Sequence, residues 1–196
     1  MTLNECSVLF SSLDVKANPL YPLILLSPLQ EGEHMSEDRK AKLLYHAANS
    51  GFVYLSVRLF VVGADPNVII NTYTAFHRVI WNKDKELVNL FLFQTADPNK
   101  VTSKSSTPLL LAAVANDVNI FRMLLEKGAR DDFHAACHFP SALYLCLIQD
   151  KLEMAKLMKA YGRILESRDR NGGTYLHMAM RFQQDWMLDN LDPAPF

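Results

Sequence analysis

At 196 residues, 49% of them hydrophobic, the chain is long enough to bury a substantial core, which excludes disorder throughout. Its 20 basic residues against 21 acidic ones leave a formal net charge of -1, without the electrostatic footprint of a nucleic-acid or anionic-membrane binder. Cys6, Cys137 and Cys146 form no paired framework, so a reducing, cytoplasmic setting is expected.

The first ten residues, "MTLNECSVLF", precede any basic residue, the first being Lys16, and so lack the positive flank of a secretory signal. The apolar run "PLYPLILLSPLQ" at 19–30 is too short to span a bilayer and is broken by Pro19, Pro22 and Pro28, so no membrane segment is expected. Residues 1–37 are read as an N-terminal segment that caps the rest of the chain or carries a docking motif.

From residue 38 the sequence repeats itself, and the repeat decides the fold. "GADPN" at 63–67 returns as "TADPN" at 95–99, and "GARDD" comes next at 128–132. Thr74, Thr107, Ser141 and Thr174 keep the same beat, 33, 34 and 33 residues apart, and each is a good helix N-cap. Pro108 then falls at the first helical position, where its missing N–H costs nothing. The first helix of a copy is rich in small residues, as in Ala47, Ala48, Ala112 and Ala113, which lets neighbouring helices approach closely.

Gly51, Asn116 and Asp150 suit a left-handed stop to that helix, whereas Lys83 and Gln183 suit it less. A second helix comes after the stop, with Ile120, Leu124 and Leu125 forming the buried stripe in one copy and Leu87, Leu90 and Phe91 in another. Gly63, Gly128 and Gly162 end it, and Thr95 breaks that pattern. The spacing predicts helix–turn–helix copies at about 38–66, 67–99, 100–132, 133–165 and 166–196, the last one shortened.

On these residues the chain resembles the ankyrin repeat family over about 38–191, with "DRNGGTYLHMA" at 169–179, "TAFHRVI" at 74–80 and "GADPN" as good partial fits. The resemblance implies an all-α solenoid of stacked helix–turn–helix units joined by short β-hairpin-like loops. The family's turn glycine is kept at Gly172 and replaced by Thr72, Ser105 and Phe139, which implies less regular hairpins between the second and fourth copies.

The resemblance further implies that a concave face, built from hairpin tips and first helices, binds another protein. The positions after the family's His slot are His46, Arg78, Leu111, Leu145 and Met178. Those before the helix stop are Asn49, Trp81, Val114, Ile148 and Arg181, with Phe182 beside it. The expected partner-binding set is Trp81, Arg78, Leu111, Val114, Leu145, Ile148, Met178 and Phe182, gripping a partner helix or extended peptide. The alternative is that the 19–30 run covers this lining from within. Arg163, Arg168, Arg170 and Arg181 form a solvated basic face or a seat for an acidic segment.

No glycine-rich phosphate loop, Gly-x-Ser-x-Gly elbow or His-Glu-x-x-His pair is present, so an enzyme is not expected and no cofactor is implied. His134, Cys137 and His138, with Cys146 nearby, are residue types that zinc accepts, and they carry the alternative of a metal-binding or enzymatic site. A self-assembly module is the other alternative. By resemblance His77 and His177 are structural, and Cys146 is a small core filler. Asp65, Asp97 and Asp131 recur one per copy and read as turn formers. Divergent repeats with no attached enzyme also suit, by analogy, a bacterial or viral effector working inside a host cell.

Overall fold

The computed structural model describes residues 35–131, 141–163, 171 and 173–182. Among the described residues the regular structure is helical, with one isolated antiparallel bridge between Ile70 and Tyr73. The helices run α1 Glu37–Ser50, α2 Val53–Val61, α3 Ala75–Trp81, α4 Lys85–Phe93, α5 Pro108–Ala115, α6 Val118–Glu126, α7 Ala142–Ile148, α8 Leu152–Ala160 and α9 Tyr175–Arg181. The chain divides into two compact units, Met1–Ala96 and Asp97–Phe196.

Hydroxyl groups start the leading helix of each pair. The Thr74, Thr107 and Ser141 oxygens accept from the amides of His77, Leu110 and Tyr144 at 3.3, 3.1 and 3.1 Å, satisfying donors that the first helical turn leaves open. His77 completes the cap from the other side. Its Nδ1 lies 2.7 Å from the Thr74 hydroxyl and accepts from the Thr74 amide at 3.4 Å, so this buried imidazole fixes the start of its own helix.

The first four leading helices each stop at a residue in the left-handed region: Gly51 at φ 76°, Lys83 at 58°, Asn116 at 57° and Asp150 at 53°. Lys83 therefore takes up a conformation that its side chain made unexpected. The trailing helices end the same way at Gly63, Thr95, Gly128 and Gly162. Thr95, at φ 73°, takes the conformation of the glycines it replaces rather than breaking the pattern. A β-branched residue there costs roughly 1–2 kcal/mol, and a glycine returns part of that gain as chain entropy. Thr95→Gly is accordingly expected to stabilise the protein by about 1 kcal/mol, read as a rise in the urea midpoint at unchanged slope.

In the first unit α1 packs on α2 and α3, α4 packs on α3, and α2 meets α4. Ala47 and Ala48 are wholly buried where the helices approach. Phe91 occupies the junction, with its ring edge-on to Phe60 at 4.9 Å and parallel to Phe76 at 6.1 Å. In the second unit α5 packs on α6 and α7, while α8 packs on α7 and α6, around Leu109, Ile120, Phe121, Leu124 and Leu143. The Lys151 ammonium donates to the Ala113 carbonyl, closing the last turn of α5 from the following copy.

The loops repeat one device. The Asp65 and Asp97 carboxylates each accept from the amide two residues on, at 2.8 Å, so both are turn formers as expected. Asn67 then donates to the Thr95 carbonyl at 3.2 Å. Asn99 donates to the Gly128 carbonyl at 3.3 Å and accepts from the Arg130 amide at 2.8 Å. Asp131 departs from this series. It sits one position later in its loop and is buried, and its carboxylate accepts from the Ala142 and Leu143 amides at the start of α7. It is a helix cap reaching across sequence, which periodicity alone did not distinguish.

Candidate binding surface

Two positions one turn apart on each leading helix face the same way, because three residues nearly complete a turn. They are 46 and 49, 78 and 81, 111 and 114, 145 and 148, and 178 and 181.

In the first unit this surface is polar and partly open. Trp81 ends α3 with 52% of its surface exposed. One turn earlier, Arg78 Nε donates to the Tyr45 hydroxyl at 2.6 Å. Its guanidinium carbon lies 5.5 Å from the centre of the Tyr45 ring and 5.2 Å from that of Tyr73, close enough for cation–π attraction to both. The contributors are α1, the hairpin ending at Tyr73, and α3. Asn82 donates to the Asn49 carbonyl at 2.9 Å and ties the ends of α1 and α3 together. His46 meets Tyr45 edge-on at 5.9 Å, and burial lowers its pKa from the ordinary 6.5, which keeps it neutral at pH 7. Arg78 is the charged member of this cluster.

The second unit corrects the expected lining. Leu111 is 6% exposed, and Leu145 and Met178 are 0% exposed, so these three are interior residues rather than surface ones. For Leu111 and Leu145 the cause is the character of their helices. "PLLLAAVA" and "ALYLCLI" are apolar around almost the whole circumference, and such a helix is buried on nearly all sides. Exposure returns only at the last turn, with Val114 at 39% and Ile148 at 46%. Phe182 is half-buried, edge-on to Tyr144 at 5.7 Å and with the Arg181 guanidinium over its ring at 5.8 Å. The open set is therefore Arg78 and Trp81 in one unit, and Val114, Ile148 and Phe182 in the other.

A second exposed apolar feature lies outside the expected set. Tyr54, Val57 and Val61 stand open along α2, at the spacing of one helical face, and Phe93 stands open at the end of α4. The signal was present in "VYLSVRLFV", which has more large apolar residues than one buried face uses.

Cys146 is buried, and the cost of burying its anion, with the Asp131 charge adding and Lys151 opposing, pushes the thiol up to about 12. A thiol so held is a core filler and no nucleophile at neutral pH. Among the described residues no group of three or more His, Cys, Asp or Glu side chains is placed to hold a metal. His134, Cys137 and His138 lie outside the described residues, as do the 19–30 run, Gly172, Arg168 and Arg170. No described helix is long and apolar enough to cross a membrane.

The family model described as "Ankyrin repeats (3 copies)" matches residues 43–136. The chain is 29% identical over 150 residues, 76% of its length, to an ankyrin repeat protein of Fowlpox virus (strain NVSL), and covers 34% of that relative. It is 28% identical over 124 residues to the human (Homo sapiens) transient receptor potential cation channel subfamily A member 1, a match over 60% of this chain and 11% of the channel. It is 24% identical over 160 residues to an ankyrin repeat protein of Acanthamoeba polyphaga mimivirus, a match over 79% of this chain and 21% of that protein. The chain thus spans about a third of the first relative and less of the others. Over residues 43–136 the helix pairs, their hydroxyl caps and their Asp-Pro-Asn loops match ankyrin repeats, a framework whose general role is protein–protein interaction.

Proposed function

We propose that this chain binds another protein through the exposed last turns of its leading helices: Arg78 and Trp81 in the first unit, and Val114, Ile148 and Phe182 in the second. The observation that carries the reading is Trp81, a large aromatic half open to solvent on a leading helix. Exposed tryptophans with an arginine beside them are typical anchors of protein interfaces, and the occupant that fits is a helix or an extended peptide. Matches to Fowlpox virus and mimivirus ankyrin repeat proteins support a role as an effector acting on host proteins in the cytoplasm, which balanced charge and an odd count of three cysteines also suit.

The test is selection of binding peptides on the immobilised full chain, followed by affinity measurement on variants. Trp81→Ala is expected to weaken a selected peptide by at least ~30-fold, the effect of losing a buried aromatic anchor. Unchanged binding in both Trp81→Ala and Ile148→Asp, with wild-type melting curves, would refute the surface. Leu145 is unsuitable for this purpose, since its side chain is interior.

A further inference from the structure

We propose that the first unit recognises a single acidic side chain of its partner, with the carboxylate seated on Arg78 and the neighbouring apolar residue laid against Trp81. This deepens, and rests on, the reading of the leading-helix turns as a protein-binding surface.

Arg78 is oriented before any partner arrives. Nε is committed to the Tyr45 hydroxyl, and the rings of Tyr45 and Tyr73 both lie within cation–π reach of the guanidinium. Of the five guanidinium donors, four therefore remain on the two terminal nitrogens. Among the described residues these make no hydrogen bond and no ion pair. In α1, Lys40 pairs with Glu37 and Lys42 with Asp38, both within the helix. Two further carboxylates of this unit are already used: Asp84 caps α4 through the Leu87 amide, and Asp65 closes its own turn. Among the described residues the half-buried cation thus lacks a counter-charge.

A planar fork held in place loses little side-chain freedom when it takes a carboxylate in two parallel hydrogen bonds, which is the geometry a guanidinium favours. The charge also selects the ligand. His46 is neutral at pH 7 and adds nothing beside Tyr45, so this cluster offers one positive charge. One cation balances one carboxylate, whereas a phosphate with nearly two negative charges calls for a cluster of cations. Trp81, one turn along the same helix face, fixes where the apolar neighbour must lie.

The experiment selects dodecapeptides from a random library on the full chain. Wild type is expected to enrich Asp or Glu next to an apolar residue, Arg78→Gln to lose only the acidic preference, and Arg78→Glu to favour Lys or Arg instead. On wild type, changing the acidic residue of a selected peptide to its amide is expected to weaken binding about tenfold, a measurement that needs no variant of the protein. The same change is expected to matter little on Arg78→Gln. Acidic enrichment that survives Arg78→Gln, or wild-type peptides with no acidic preference, would overturn the assignment. Binding that depends on Trp81 but not on the peptide's acid would sink this inference alone, and binding indifferent to both Trp81 and Ile148 would sink the surface itself.

Discussion

Leu145→Arg is expected to unfold the second unit at room temperature, while Ile148→Arg, one turn further along α7, is expected to melt within a few degrees of wild type. Leu145 is wholly buried and Ile148 is 46% exposed, although both belong to the same short helix. A guanidinium forced into the Leu145 position loses its water and finds no partner designed for it. An unpaired buried charge costs several kcal/mol, a large share of the roughly 5–15 kcal/mol that holds a domain together. At Ile148 the same group stays hydrated, and the change falls within the roughly 0.5 kcal/mol usual for surface sites. Far-UV circular dichroism melts of the two variants make the comparison. A Leu145→Arg protein melting like wild type would show that this slot opens to solvent, and would return Leu111, Leu145 and Met178 to the binding surface.

Phe91→Ala is expected to cost about 3–5 kcal/mol, the range for deleting a buried aromatic ring. Phe91 is wholly buried where α2, α3 and α4 meet, and its ring touches both Phe60 and Phe76. Its removal loses the transfer energy of the ring and leaves a cavity that two aromatic neighbours fill poorly. Phe93→Ala is the internal control. That ring is largely exposed two residues later, so its loss is expected to change stability by less than about 0.5 kcal/mol. Stability in repeat frameworks is a sum over neighbouring copies. Hydrogen exchange should therefore show the Phe91→Ala loss concentrated in the amides of α2, α3 and α4. Protection lost evenly along the chain would contradict that nearest-neighbour picture.

Most of the frame was legible because its determinants are local. Thr74, Thr107 and Ser141 cap helices whether or not anything else is known, and Gly51 and Asn116 stop them by their own backbone preferences. Lys83 and Thr95 were not legible in this way. Their left-handed conformations are imposed by the packing of the pair they join, against the preference of the side chain. Asp131 misled for the opposite reason, since it shares a loop motif with Asp65 and Asp97 while its partners lie eleven and twelve residues on. The surface was half legible. A positional rule treated all copies alike and so placed Leu111, Leu145 and Met178 beside Arg78. The residue types already disagreed: the slot holds His46 and Arg78 where it is half open, and apolar residues where it is closed. The arginine clamp depends on Tyr45 and Tyr73 arriving from different segments, which no local pattern announces.

The loop amides of Asn67 and Asn99 fasten to main-chain carbonyls, of Thr95 and Gly128, rather than to side chains. A carbonyl is supplied by whatever residue occupies the position, so these fasteners survive substitution of the residue they grip. The turns carrying Trp81 and Val114 are tied to neighbouring copies in the same way, through the Asn49 and Ala113 carbonyls, so the exposed side chains of Trp81, Val114 and Ile148 carry none of these fastenings. A lineage is free to rewrite those side chains while the scaffold beneath them persists.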